Sequence, residues 1–180
     1  MTMIELLVVL SVVAATLASA LVMLDGDAAK NAACAATTQT MTKVRGAIVG
    51  DGMRPGYRAD MMVLPDTIAD LLRVPPAYLT SSLAVFNPVT RLGWNGPYFL
   101  STAVDSLGIP LIVDAWNSPL ILQRTATSGY TLDPYVRIVS AGPNGIVETP
   151  EGLIYPSRAV CGDDLVLYLT VADLRPESIP

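Results

Sequence analysis

Glu5 is the side chain whose position carries the clearest chemical signal in this sequence of 180 residues. It is the only charged side chain before Asp25, and every residue from Leu6 to Leu24 is uncharged. An ionised carboxylate in an apolar helix costs on the order of several kcal/mol unless a cation pairs with it. The nearest cation in the chain is the α-amino group of Met1, on the same helical turn, because no Lys or Arg precedes Lys30. The amine of a neighbouring copy would reach this carboxylate if two helices were staggered by a few residues; the alternative is a carboxylate solvated at a membrane surface.

The other groups capable of chemistry exclude several classes of protein. The chain contains no histidine, which rules out histidine-based catalytic triads and most zinc-hydrolase sites within it. Its two cysteines, Cys34 and Cys161, form no CxxC pair, which argues against a zinc site. Three acids, Asp60, Asp66 and Asp70, suggest a catalytic cluster, but no nucleophile motif accompanies them and solvated surface carboxylates are the simpler interpretation. A net charge of -5 does not favour nucleic-acid binding, so we predict neither an enzyme nor a nucleic-acid-binding protein.

One long helix is the element that positions Glu5. The stretch from Leu6 to Leu24 is about 19 residues long and apolar on every side, which as a helix approaches the thickness of a bilayer's hydrocarbon core. Gly26 is the first residue that favours a break. The following stretch, from Asp25 to Asp51, is apolar on one side only, at Cys34, Thr37, Met41, Val44 and Ile48. We expect this second half to pack on a globular domain and to end at Gly50, Gly52 and Pro55-Gly56.

The remainder of the chain predicts a small globular domain with a sheet near its end. A short helix is expected within residues 66–72, capped by Asp66, and residues 74–97 indicate a long surface connection held by Phe86 and Trp94. The strongest strand candidates form an antiparallel meander and cover residues 120–124, 135–140 and 165–171. Helix first and sheet last makes the fold class α+β.

The opening phrase Thr2-Met3-Ile4-Glu5-Leu6-Leu7-Val8-Val9 resembles the start of mature type IV pilins and type II secretion pseudopilins. In that family a prepilin peptidase cuts before an apolar residue and N-methylates the new terminus, and glutamate stands at the fifth mature position. The resemblance implies that Met1 is the processed terminus and that Glu5 pairs with the Met1 amine of an adjacent subunit. An ordinary secretory signal would need a basic region before the apolar run, and no Lys or Arg stands there.

The resemblance also implies the type IV pilin fold and a filament. In that fold a long N-terminal helix, here residues 1–52, packs on a small globular domain with a three-stranded antiparallel sheet, here residues 53–180. Residues 1–24 would lie in the inner membrane before assembly and in the filament core afterwards, and residues 25–52 would be the amphipathic half. Identical subunits would then join through contacts that do not close into a ring. The expected core positions are Leu6, Leu7, Val8, Val9, Leu10, Val13, Leu17 and Leu21.

Three functions stay open from the sequence. The favoured one is the major pilin of an extracellular type IV pilus-like filament, with the prepilin peptidase and the pilus assembly machinery as further partners. The second is the major pseudopilin of a type II secretion system, which would stay periplasmic. The third belongs to another class and is a membrane-anchored, monomeric periplasmic binding domain.

Phrases near the end of the chain resemble major pseudopilins. Asp114 to Pro119 is similar to the phrase that leads into the sheet of those proteins, and residues 140–145 resemble the start of their calcium loop. The resemblance implies a calcium site with oxygen ligands from Asn144, Glu148, Asp163 and Asp164. Relative to those proteins, residues 150–161 resemble an insertion before Asp163 and Asp164. The alternative to a calcium site is a turn with solvated acids.

Cys34 and Cys161 are candidates for a disulfide. We expect the globular domain to lie outside the cytoplasm, where such bonds persist. A bridge closing so long a loop would stabilise the protein by up to roughly 5 kcal/mol in the chain-entropy model. Two buried free thiols are the alternative. No cofactor other than calcium is implied.

Overall fold

The computed structural model describes residues 3–124, 136–151 and 162–169 and, within the first helix, all side chains except those at 15 and 17–26. It is a mixed α+β protein with one long helix, a two-stranded sheet and a three-stranded sheet. The chain divides into two compact units, Met1–Ala35 and Ala36–Pro180. The division falls inside the long helix, whereas the sequence places the domain boundary after residue 52.

The long helix, α1, runs from Met3 to Val49. It continues through Gly26, so the break that glycine favours there does not occur. It stops at Gly50, whose φ of +104° is a left-handed conformation that residues with a Cβ rarely adopt. Gly50 then pairs with Pro55 in an isolated β-bridge, which turns the chain back on itself close to the predicted end.

The part of α1 that belongs to the second unit buries one face, as predicted. Thr37, Met41, Val44 and Ile48 are at most 2% exposed. The three apolar members join a core that also contains Tyr57 and residues of the three-stranded sheet. Burying such a face, rather than helix propensity, is what stabilises a helix in a folded protein.

A helix and several short turns follow α1. The helix α2 covers Tyr57–Met61. The predicted helix within residues 66–72 is a 3-10 turn, Ile68–Leu71, and its N-cap is Thr67 rather than Asp66. The Asp70 carboxylate accepts the backbone N–H groups of Asp66 and Thr67 at 2.8 and 2.9 Å, which explains why the turn begins there.

The predicted surface connection over residues 74–97 contains two further 3-10 turns, Pro76–Tyr78 and Ser82–Ala84. Trp94 holds it to the domain, as predicted, because its indole N–H donates to the Asp70 carbonyl at 3.2 Å. Phe86 is half-buried.

The three-stranded sheet has the predicted antiparallel order. Its strands are β3 (Ile121–Arg124), β4 (Val136–Ser140) and β5 (Leu165–Leu169), with β4 in the centre. Ile138 pairs with Leu122 on one side and with Leu167 on the other. The last two positions of the predicted third strand, 170 and 171, lie outside the described residues.

A second, two-stranded sheet was not predicted. It pairs β1 (Ala103–Val104) with β2 (Pro110–Leu111) in antiparallel register. The Asp105 carboxylate closes the connecting turn by accepting the N–H groups of Leu107 and Ile109, each at 2.8 Å.

Candidate functional site

The acidic residues predicted to hold calcium lie in one group of loops beside β4 and β5. The backbone N–H of Asn144 donates to Asp163 Oδ2 at 3.3 Å, and the N–H of Glu148 donates to Asp164 Oδ2 at 3.0 Å. Two segments that are well separated in sequence are thereby joined through their acids. We call Asp163 and Asp164 the acidic pair.

In each carboxylate of the acidic pair, Oδ2 accepts backbone N–H groups and Oδ1 has no hydrogen-bond partner among the described residues. Asp164 Oδ2 also accepts the N–H of Thr149 at 2.6 Å, and the residue is only 5% exposed. Oδ1 of Asp164 and Oδ1 of Asp163 are buried and have no hydrogen-bond partner in the described part of the chain. A buried polar atom without a partner typically costs about 1–3 kcal/mol, and more when it is charged. Such an atom calls for a partner, and a bound cation is one that a carboxylate oxygen accepts.

Two glycines allow the loops to approach the acidic pair. Gly142 has a φ of +64°, and a Cβ there would lie 2.3 Å from the Asp163 carbonyl oxygen. Gly162 has the same φ, and a Cβ there would lie 1.2 Å from Glu148 Oε2. No other residue type fits either position without moving the backbone or the Glu148 carboxylate.

The four predicted ligands therefore have different roles. Asn144 uses its side-chain oxygen to accept the N–H of Ile146 at 2.7 Å, so that oxygen closes a local turn. Glu148 lies against Gly162, and the acidic pair supplies the unsatisfied oxygens. Within the described ranges, no group of three or more His, Cys, Asp or Glu side chains converges as a metal site. The donor chemistry fits a hard cation such as calcium, which completes its shell with carbonyl oxygens and water.

The segment behind the acidic pair is held by a buried arginine. Arg137, in the centre of β4, is fully buried and donates to the Pro150 carbonyl at 2.7 Å and to Gln123 Oε1 at 2.7 Å. Gln123 in turn donates to the Thr149 carbonyl at 3.1 Å. The start of the predicted insertion is thus fixed to the sheet; residues 152–161 lie outside the described part of the chain.

The predicted assembly residues lie at the start of α1. Glu5 is in its first turn and is exposed. The predicted core positions Leu6, Leu7, Val8, Val9, Leu10 and Val13 are between 49% and 61% exposed. Met1 lies outside the described residues, as do the side chains of Leu17 and Leu21. Among the residues that the structure describes with their side chains, which leave out 15 and 17–26, no helical stretch is long and apolar enough to cross a membrane.

The predicted disulfide remains a prediction. Cys34 is half-buried in α1, and Cys161 lies outside the described residues.

The three acids considered as a catalytic cluster each have a structural partner of their own. Asp60 is buried and accepts the Tyr98 hydroxyl at 2.9 Å, Asp70 caps the 3-10 turn, and Asp66 forms an exposed ion pair with Arg124. Burial raises the pKa of Asp60, and the hydrogen bond from Tyr98 opposes that rise. Burial likewise raises the pKa of the Tyr98 hydroxyl.

One polar pair near the acidic loops was missed from the sequence. Ser140 donates to Asp114 Oδ2 at 2.6 Å, and both residues are buried. The Asp114 phrase was recognised only as a lead into the sheet, and nothing in the sequence connects it to Ser140.

No family model, curated protein or solved structure matches this chain.

Proposed function

We propose that the chain is the structural subunit of a helical filament of the type IV pilus class, built on the type IV pilin fold. The observation that carries the proposal is the start of α1. Nine large apolar side chains between Met3 and Val13 are 49–82% exposed. Apolar patches of this kind mark surfaces that bind lipid or another protein.

Identical copies are the occupant that best suits this surface. The apolar stretch from Leu6 to Leu24 covers every side of the helix, so one neighbour cannot bury it and several are needed. A helix surrounded by copies of itself makes heterologous contacts, which propagate as a fibre when the rotation does not close. Before assembly the same stretch lies in the inner membrane, and after assembly the filament is extracellular.

Glu5 sets the axial position of each new subunit in this proposal. Desolvating its carboxylate among apolar helices costs on the order of several kcal/mol unless a cation meets it. In this proposal the cation is the Met1 α-amino group of an adjacent copy, because no Lys or Arg lies between Glu5 and Lys30 on the helix. Only a subunit in the correct register makes this pair.

The first prediction concerns this pair. Glu5→Ala should leave membrane insertion intact and strongly reduce the yield of sheared filaments in electron micrographs, because the amine of the next subunit loses its partner. Asp27→Ala is the matched control, since it removes another exposed acid from the same helix, and it should assemble normally. Filaments at the normal yield from Glu5→Ala would contradict the proposed role.

The same micrographs separate the alternatives. Long filaments outside cells support the pilus, and short periplasmic filaments that accompany secretion support the pseudopilus. A wild-type chain that stays monomeric after detergent extraction and never forms filaments supports the membrane-anchored binding domain and overturns the proposal.

Calcium is the cation that we propose for the acidic pair. Asp163 and Asp164 would each offer the carboxylate oxygen that now has no partner, and the bound ion would tie the loop after β4 to the start of β5. A ligand present at a hundred times its Kd stabilises the folded state by about 2.7 kcal/mol.

The second prediction tests that site. Isothermal titration of the full-length chain in detergent should show one calcium site, which Asp163→Asn and Asp164→Asn each weaken strongly. Asp66→Asn is the control, because that acid is exposed and pairs with Arg124 rather than with the loops around the acidic pair. A wild-type titration without binding heat, together with a melting temperature that calcium does not change, would exclude the site.

A further inference from the structure

Ser140 and Asp114 lie next to the acidic pair but touch neither of its free oxygens. We propose that they are positioning residues of the cation site: Asp114 orients the Ser140 hydroxyl, and that hydroxyl fixes the turn against which Asp163 is placed. The inference rests on the proposed cation site and extends it to residues that do not bind the ion.

The first step is the orientation of the hydroxyl. A serine has one proton to donate, and Ser140 donates it to Asp114 Oδ2 at 2.6 Å. Asp114 is itself held in place, since its Oδ1 accepts the N–H groups of Trp116 and Ser118 at 2.9 and 2.8 Å. The lone pairs of the Ser140 hydroxyl are therefore left to accept.

The second step is the turn. The Ser140 hydroxyl accepts the backbone N–H of Gly142 at 3.2 Å, inside the buried part of the loop. Gly142 begins the 3-10 turn Gly142–Asn144 and lies against the Asp163 backbone, since a Cβ on Gly142 would be 2.3 Å from the Asp163 carbonyl oxygen. The last residue of that turn, Asn144, donates its N–H to Asp163 Oδ2. Ser140 thus fixes the start of the turn whose last residue contacts the Asp163 carboxylate.

The two members of the acidic pair have separate supports. Asp164 is held by the N–H groups of Glu148 and Thr149, whose segment is fastened to Gln123 and Arg137. Loss of the Ser140 contact should therefore misplace Asp163 and leave Asp164 in position. A site with one of two carboxylates misplaced binds more weakly but is not abolished.

The test measures calcium affinity and stability separately in the full-length chain. Ser140→Ala and Asp114→Asn should each raise the calcium Kd by about 10- to 100-fold, the usual effect of removing a group that orients a metal ligand. Thr37→Val is the matched control. The Thr37 hydroxyl accepts the N–H of Ala115 at 3.1 Å and, among the residues that the structure describes, makes no hydrogen bond to Ser140 or the Asp114 carboxylate, so its loss should lower the melting temperature and leave the Kd within about twofold.

A purely structural role would lower the melting temperature of all three variants and change no Kd, and that result overturns the inference. If the wild type binds no calcium, the cation site itself is lost and the inference with it, which titration of the wild type reveals directly. Hydrogen exchange on the unmodified chain gives a second readout that needs no variant. Calcium should slow exchange in a peptide covering residues 140–145 and not in one covering residues 103–111; equal exchange with and without calcium at 140–145 overturns the inference.

Discussion

The two ends of α1 differ in the burial of their large apolar side chains. Between Met3 and Val13 the large apolar side chains are exposed, whereas Met41, Val44 and Ile48 are at most 2% exposed. Burying one such side chain is worth about 1.5–3 kcal/mol. At the second end, Met41, Val44 and Ile48 gain this free energy by packing within their own chain. The side chains at the first end do not, and the filament proposed above rests on that difference.

The third and largest predicted effect follows from placing a charge in the unburied end. Leu10→Asp should abolish filaments, because every neighbouring helix would have to bury an additional carboxylate at a cost of several kcal/mol. The globular unit should melt at the wild-type temperature. Leu107→Asp is the control, since Leu107 is 83% exposed in the turn between β1 and β2, and it should still assemble. If Leu10→Asp also forms filaments, the exposed end of α1 is not the assembly surface.

The fourth prediction reverses the test by removing apolar atoms from the buried end. Ile48→Ala should destabilise the globular unit by about 2–5 kcal/mol, because the side chain is fully buried and leaves a cavity. Leu10→Ala should not change that stability. Urea unfolding followed by tryptophan fluorescence measures it, since both tryptophans, Trp94 and Trp116, lie in the second unit. Similar losses in the two variants would remove the distinction between the two ends.

The sequence predicted the buried end well because a helix face is a local pattern. The spacing of Thr37, Met41, Val44 and Ile48 is enough to place them on one side, and the structure buries all four. The three strands of the larger sheet, with Ile138 in the central one, were predicted for the same reason. Alternating apolar and polar positions, or continuous apolar runs, are visible within five to seven residues. The exposed end is equally visible in the sequence as an apolar run, and in the proposed filament other copies of the chain cover it.

The elements that were missed depend on neighbours distant in sequence. The strands β1 and β2 have two residues each, too short for any periodicity to show. The cap at Thr67 depends on the reach of Asp70, and the Ser140–Asp114 bond joins residues 26 positions apart. At the acidic pair the sequence predicted which acids are near each other. It did not predict which oxygens would be left without a partner, because that depends on the N–H groups of Asn144, Glu148 and Thr149.

The two units also differ in the burial of their acidic residues. Glu5 is exposed in the first unit, whereas Asp60 is buried in the second, beside the aromatic rings on which the buried end of α1 packs. Tyr57, a member of that core, meets the Tyr98 ring edge-on at 5.6 Å, and Tyr98 donates to Asp60. The pKa of Asp60 therefore reports how burial within a single chain affects a carboxylate.

The fifth and smallest effect is expected at Asp60, because burial and the Tyr98 hydrogen bond act on its pKa in opposite directions. Burial is the larger influence, so the pKa lies above its ordinary value of 3.8. A raised folded-state pKa means that the native protein holds the proton more tightly than the unfolded chain. The stabilisation is complete below the unfolded pKa and is lost as the pH rises through the folded pKa. Asp60→Asn should remove this dependence, so the free energy of unfolding of the wild type, relative to the variant, should fall as the pH rises from about 3.

Urea titrations of both proteins between about pH 3 and 7 measure this difference. Asp66→Asn serves as the control, because that acid is on the surface and its ion pair with Arg124 is expected to contribute at most about 1 kcal/mol. A difference between wild type and Asp60→Asn that rises with pH would have the wrong sign. It would mean that the side-chain hydrogen bonds from Tyr98 and Asn95 together outweigh desolvation, and that neutral donors alone can stabilise a buried acid in this protein. The need for a cation opposite Glu5 in the filament would then be weaker. The pH dependence at Asp60 therefore also tests whether the Glu5 carboxylate needs a cation when copies of α1 bury it.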